Sequence, residues 1–353
     1  MNRKAFALLT ALTTFSIGVL LAKSWLQPAP PEQKREPLLS RYELSGPYIH
    51  KNLSVFLIHG ADESDRLYLP LQEALERKQV VVYETKEVNE LAIENTSLTD
   101  EVFVQSGDIV KGGQQDRVLR VDLILPRNSG KTPIDAFCVE NGRWHQRGAE
   151  QVNQFSSSTD MVSTKGLKMA TKAQDPHQGK VWEEVAEAQS SLSRSVRNDV
   201  AGVASPSSLQ LALENKRVQD AAADYLRNLS SIVDDKSDAI GYVFAINGDL
   251  NSGDVYSSSA LFKRFWPRLL KASVLEAVAG GFELVPTGDE REAGVSFDAI
   301  KAFIVDAERG TESTSAITER THMIRRESDK NLFLETRDMA HGGIWVHRSY
   351  LTK

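Results

Sequence analysis

Two hydrophobic periods divide this chain, and their order restricts the fold more than any other feature. From about residue 53 to 145 the apolar residues come in short runs: "LSVFLIHG", "VVVYET", "ELAIENTS", "EVFVQSGDIV", "DRVLRVDLILP" and "IDAFCVENGRW". Gly-rich or Pro/Asn-rich breaks separate them, as between strands. One short helical pattern, "YLPLQEALERKQ", interrupts the series through Leu69, Leu71, Ala74 and Leu75. From about residue 180 the spacing becomes helical. "KVWEEVAEAQSSLSRSV" places Val181, Val185, Leu192 and Val196 on one face, and "SPSSLQLALENKRVQDAAADYLRNLSSIV" continues the pattern. After the strand "AIGYVFAING" come the helices "SSSALFKRFWPRLLKASVLEAVAG" and "SFDAIKAFIVDAE". Three strand-like segments, "SAITERTHMIRRES", "NLFLETRD" and "GIWVHRSYL", close the chain. Strands, then helices, then strands imply an α+β fold with antiparallel sheets and a central helical segment.

Local signals refine this expectation. Val118, Arg120 and Asp122 alternate with Leu119, Val121 and Leu123, which predicts a half-solvated sheet. Residues 148–180 are polar and read as irregular, with short strands around Met161 and Met169. Ser205 and Pro206 fit the N-cap and first position of the second central helix. "NGDLNSGD" reads as turn, Pro267 as a kink or an early helical position, and Gly280-Gly281 as a helix stop.

The chain has 353 residues, a net charge of −6 and one cysteine, Cys138. The acidic balance gives no nucleic-acid footprint, and a lone cysteine excludes an internal disulfide. Residues 1–22 open with basic "MNRK" and continue with the uncharged run Ala5 to Ala22, the pattern of a signal peptide or membrane anchor. Residues 23–46 form a proline-rich linker, and one large domain is expected over 47–353. The basic residues before the apolar run place the domain outside the membrane. The expected location is therefore the periplasmic side, anchored to the inner membrane, or secreted if the segment is cleaved.

Two polar clusters are the candidate site. In "GDIVKGGQQDRVL", Gly112-Gly113 supplies the positive φ of a tight hairpin. Gly107 and Gly112 have P-loop spacing, but Gly113 and Gln114 replace the required Lys and Ser/Thr. Gln115, Asp116 and Arg117 follow, a set that a turn does not need and that can bind a polar ligand. In "CVENGRW", Glu140, Arg143 and Trp144 surround Gly142. Either set can equally pair internally. Glu140 and Asp116 are the candidate general bases, and Cys138 reads as a small buried residue. No G-x-S-x-G elbow follows "LIHG". In "DLNSGD" the twelfth calcium-loop position would be Ala260, and His341 and His347 lack zinc spacing. No motif implies a cofactor or a metal.

The segments "GDIVKGGQQDRV", "CVENGRW" and "GYVFAINGDL...SSSALFKRFWPRLLKASVLEA", in this order, resemble the ARG and rhodanese-phosphatase-superfamily-associated domain family, ARG standing for ADP-ribosylglycohydrolase. The matching residues are Gly112, Gly113, Gln115, Asp116, Arg117, Cys138, Glu140, Gly142, Arg143 and Trp144. The resemblance implies a link to ADP-ribose or phosphate metabolism by association; export departs from that cytoplasmic setting.

Three functions remain open on the sequence. The first is a binding or accessory domain that holds a polar or anionic ligand through Gln115, Asp116, Arg117 and Arg143, with Trp144 as a stacking surface. The second is a hydrolase acting on a nucleotide-derived or phosphorylated substrate. The third is a structural module that binds a protein partner. The only membrane association expected is through the N-terminal segment.

Overall fold

A computed structural model describes residues 42–353 apart from 86, 144, 148–149, 151–153 and 282–293. The apolar run 1–22, nearly all of the linker and Trp144 lie outside the described residues. The first strand, β1 (Glu43–His50), starts within the stretch read as linker.

β2 (Leu53–His59) completes the first hairpin, followed by β3 (Leu69–Pro70), α1 (Leu71–Glu76), β4 (Val80–Glu84) and β5 (Glu90–Asn95). Next come β6 (Val102–Val104), β7 (Asp108–Gly112), β8 (Arg117–Leu119), β9 (Leu123–Leu125), β10 (Gly130–Cys138) and β11 (Phe155–Met161). The central helices are α2 (Lys165–Lys172), α3 (Gln178–Val196), α4 (Leu209–Leu213) and α5 (Lys216–Leu229). The hairpin β12 (Ala239–Ile246) and β13 (Asp249–Tyr256) leads into α6 (Ser259–Gly280) and α7 (Phe297–Glu308). β14 (Thr311–Ala316), β15 (Thr321–Glu327), β16 (Asn331–Asp338) and β17 (Ile344–Thr352) end the chain. The fold is α+β with largely antiparallel sheets; among the described residues the one parallel pair is β3 with β6.

An eight-stranded sheet, β1-β2-β12-β13-β17-β16-β15-β14, collects strands from both ends of the chain. Its residues alternate between two cores. Leu53, Val55 and Leu57 of β2 face a large core shared with α3, α5 and α6, while Phe56 and Ile58 face α7. α6 is capped by the Ser258 hydroxyl, which accepts from the Leu261 amide. It runs unbroken through Pro267, because the buried stripe Phe262, Phe265, Trp266, Leu269 and Leu270 holds it. It ends at Gly280 as expected. Among the described residues no helix is long and apolar enough to cross a membrane.

The segment 69–161 builds a six-stranded sheet, β11-β7-β8-β10-β5-β4, and a three-stranded one, β3-β6-β9. β7 and β8 form the expected hairpin through Gly112 (φ 117°) and Gly113 (φ 56°). A side chain at Gly113 would also run into the Phe155 ring and the Glu84 carboxylate, so glycine is required there twice over.

Four local expectations are corrected. β8 and β9 are not half-solvated: Val118 enters the large core and Leu119 the second core between the two smaller sheets, so both faces are covered. The stretch after Asn247-Gly248 is strand β13, not turn; its polar residues are buried because neighbouring side chains satisfy them. Met169 lies in α2. The helix expected from Ser205 starts later, with Ser208 capping α4 and Asn215 restarting the chain as α5. Asn215 and Ser208 each accept a backbone N–H, which makes two short helices cheaper than one continuous helix.

Candidate functional site

The structure brings the two polar clusters together. Arg143 reaches across to the glycine turn: its Nη2 donates to the Gly112 carbonyl (3.2 Å) and its Nη1 to the Gly113 carbonyl (3.2 Å). Its Nε lies 2.7 Å from Glu140 Oε1. Glu140 Oε2 accepts from the Asp116 amide (3.0 Å), and Asp116 Oδ1 accepts from the Gly112 amide (3.0 Å). Each motif thus completes the other, which gives the turn glycines, the carboxylates and the arginine one shared structural role.

Arg147 is the member that sequence reasoning missed. Its guanidinium donates to both oxygens of Asp116 (2.8 and 2.9 Å), to Glu140 (3.1 Å), to the Ser208 hydroxyl (3.1 Å) and to Glu150 (2.9 and 3.0 Å). The visible signal was its place four residues after Arg143 in "RWHQR". Ser208, which caps α4, carries no such signal.

Burial raises the Asp116 carboxyl above its usual range, with the Glu140 charge adding to the effect and Arg147 opposing it. Burial would raise Glu140 as well, but hydrogen bonds from Ser205, the Asp116 amide and Arg143 hold it below its usual range. Asp116 and Glu140 are fully buried and Arg143 is 3% exposed.

Gln115 and Arg117 point elsewhere. Arg117 Nη1 donates to the Gln115 carbonyl and side-chain oxygens, and its Nη2 lies 3.5 Å from Glu84. Cys138 is buried beside them, and burial pushes its thiol up to about 11. The Gln178 side chain grips the Cys138 backbone, accepting from its N–H and donating to its carbonyl, both at 2.9 Å. Gly142 sits at φ 82°, a turn conformation that glycine adopts freely.

A second constellation lies where α2, α6 and the β6–β7 turn meet β13 and β17. It borders a partly open cavity of about 40 Å³, room for roughly three waters, lined by polar residues such as Ser106, Lys168, Lys172 and Asp254 and by apolar ones such as Val162 and Leu269. Lys168 and Lys172 are one helical turn apart and face it together. Lys168 Nζ is 3.1 Å from Glu276 and 3.3 Å from the Ser252 hydroxyl. Lys172 Nζ donates to the Ser106 hydroxyl (2.9 Å), and among the described residues no carboxylate oxygen lies within 4 Å of it. Burial lowers the Lys172 ammonium; Lys168 and Arg325 act the same way, while Asp122 and Asp254 oppose.

Behind the cavity, His347 is held between two carboxylates. Its Nδ1 is 2.8 Å from Asp122 Oδ2 and its Nε2 3.1 Å from Asp254 Oδ1. Burial alone would lower its pKa, but the Asp122 and Asp254 charges and hydrogen bonds push it up to about 9. Despite burial, the same contacts hold Asp122 down to about 2. With both nitrogens donating, His347 is an imidazolium at neutral pH and cannot serve as a base. No local motif announces this triad, since its members come from a loop and two distant strands.

For metals, Glu101, Asp338 and His341 offer ligand atoms within 4.8 Å of one another. The Arg320 guanidinium already supplies positive charge there, 2.8 Å from Glu101 and 2.7 Å from Asp338. A wider open groove of about 370 Å³ runs past Lys51, Arg217, Asp220 and Tyr225. Its Lys51 is committed to Asp224 (3.0 Å) and to the Tyr225 ring.

A family model for the ARG and Rhodanese-Phosphatase-superfamily-associated Protein domain matches residues 41–351, almost the whole described chain. The chain belongs to this family. Its domain is an associated, accessory one, and both motif segments fall within the matched range. No curated protein and no solved structure matches the chain.

Two outcomes are expected of this family member. Arg147→Met leaves Asp116 and Glu140 buried with too little positive charge, and should cost about 3–5 kcal/mol in urea unfolding; a loss under 1 kcal/mol would show that the network carries little. His347 is bound more tightly to its proton when folded than at its ordinary value of 6.5. Its stabilisation should therefore be complete below pH 6.5 and be lost as pH rises through about 9. The loss should be on the order of 3 kcal/mol. Unfolding curves from pH 6 to 10 should fall more steeply for the native protein than for His347→Gln, and parallel curves would contradict the assignment.

Proposed function

We propose that this domain is an accessory module that holds a compact anionic ligand in the cavity between α2, α6 and β13. The observation that carries the reading is the pairing of Lys168 and Lys172 on one face of α2, both lining a partly open cavity of mixed polar and apolar walls. An anion entering there replaces lost hydration around the two lysine side chains, whose nitrogens also donate to the Ser106 and Ser252 hydroxyls. A volume of about 40 Å³ suits a phosphate or small carboxylate and not a whole nucleotide.

The Asp116–Glu140–Arg143–Arg147 network takes the structural role in this reading. Its donors face protein acceptors and its carboxylates are shut from solvent, which favours internal pairing over ligand capture through Arg143. Gln115 and Arg117 likewise serve Glu84 and their own turn. The hydrolase alternative would need a base; Glu140 and Asp116 are enclosed, and His347 is already protonated.

A thermal-shift series on the full chain tests the site. Inorganic phosphate, glycolate and small phosphorylated compounds should raise the Tm, equivalent to about 2.7 kcal/mol at a hundred times Kd. Lys168→Met should abolish the shift. No shift with any compact anion would sink the proposal.

We also propose that residues 1–22 export the domain, on the strength of the basic start and the uncharged run Ala5 to Ala22. Fused to residues 1–46, a phosphatase reporter active only outside the cytoplasm should be active; a silent, well-expressed fusion would contradict export.

A further inference from the structure

We propose that Lys172 is an imine-forming lysine and that the cavity takes a two- or three-carbon oxo acid. This deepens the anion-site reading and rests on it. The two lysines of the cavity are unequal in geometry. Lys168 has a carboxylate partner in Glu276 at 3.1 Å and the Ser252 hydroxyl at 3.3 Å. Lys172 has one hydroxyl partner, Ser106, and no carboxylate within 4 Å among the described residues. Lys271, on α6, has a carboxylate partner in Asp160 at 2.8 Å.

The charges around Lys172 come from several elements. Asp122 before β9 and Asp254 on β13 favour its ammonium form. Lys168 on its own helix and Arg325 on β15 oppose it, and Arg325 also donates to the Lys172 carbonyl at 2.6 Å. Both aspartates are already engaged by His347, at 2.8 and 3.1 Å, which blunts their pull on Lys172. Desolvation and the neighbouring cations shift Lys172 toward its neutral, nucleophilic amine. Lysine amines of this kind attack carbonyl carbons.

The ligand's size and charge follow from the walls. Room for roughly three waters admits a fragment of a few heavy atoms. Lys168, one turn from Lys172, is placed to pair with a carboxylate adjoining the carbonyl. In the reaction the Lys172 nitrogen bonds to the carbonyl carbon, and the carbonyl π pair moves to oxygen. The oxygen gains the two amine protons by way of a carbinolamine and leaves as water. One amine and one carbonyl become one imine and one water, with no change of oxidation state.

Borohydride trapping on the full chain tests this. Glyoxylate or pyruvate is added, the imine is reduced to a secondary amine, and the labelled lysine is found by peptide mass mapping. Lys172 should be labelled at least tenfold more than any other lysine. Inorganic phosphate should protect it, and Lys168→Gln should cut the labelling. Protection is read on the native protein, so the test does not depend on a Lys172→Arg variant that folds. Labelling spread evenly over surface lysines, or none while glycolate still raises the Tm, would overturn the imine and leave the anion site standing. No labelling and no shift with glycolate or phosphate would overturn both.

Discussion

The contact on which the architecture depends is the one Asp122 makes across the sheets. Asp122 lies between β8 and β9, in the part of the chain that builds the two smaller sheets. Its Oδ2 accepts from Thr336 of β16 at 2.6 Å and meets His347 of β17 at 2.8 Å. Its Oδ1 accepts from the Ser106 amide at 2.7 Å. One carboxylate thus fastens the β6–β7 turn to the eight-stranded sheet. His347 extends the chain of charge to Asp254 and stacks on Tyr256, whose hydroxyl returns to Gln105 beside the same turn. A buried carboxylate without such partners would cost several kcal/mol. Here the cost is offset by an imidazolium, a hydroxyl and an amide, and the polar cavity lies directly beside them.

The second buried network works on a smaller scale. Arg143 and Arg147 neutralise Asp116 and Glu140 while holding the Gly112-Gly113 turn, the end of β10 and the start of α4. Such a network adds little net stability over a well-packed apolar one, but it is strict about geometry. Four segments must arrive in register before its hydrogen bonds can close. That strictness gives the turn glycines, the two carboxylates and the two arginines one shared geometric role.

Legibility varied with the distance over which a residue finds its partners. The β7–β8 hairpin, α3, α6 with its glycine stop and the C-terminal strands were readable, because turn chemistry and periodicity are local. β13 was not, since Asn251, Ser252 and Asp254 look like loop residues until Lys168, Glu276 and His347 arrive to pair with them. Asp116, Glu140 and Arg143 were recognisable as a set, yet Arg147, Ser208 and Glu84 were missed. The cavity was invisible for the same reason: Ser106, Lys172 and Asp254 are widely separated in sequence, and none sits in a motif.

The sequence by itself determined the α+β class, the strand–helix–strand order of the main segments, the tight glycine turn and the family. Each of these rests on spacing within a few residues or on contiguous motifs. Only the tertiary structure decided which polar residues face solvent, which are walled in and which share a cavity. Burial and charge pairing are properties of neighbours brought together by folding, so the same arginine or lysine reads identically in sequence whether it clamps a turn, as Arg143 does, or stands without a carboxylate partner, as Lys172 does.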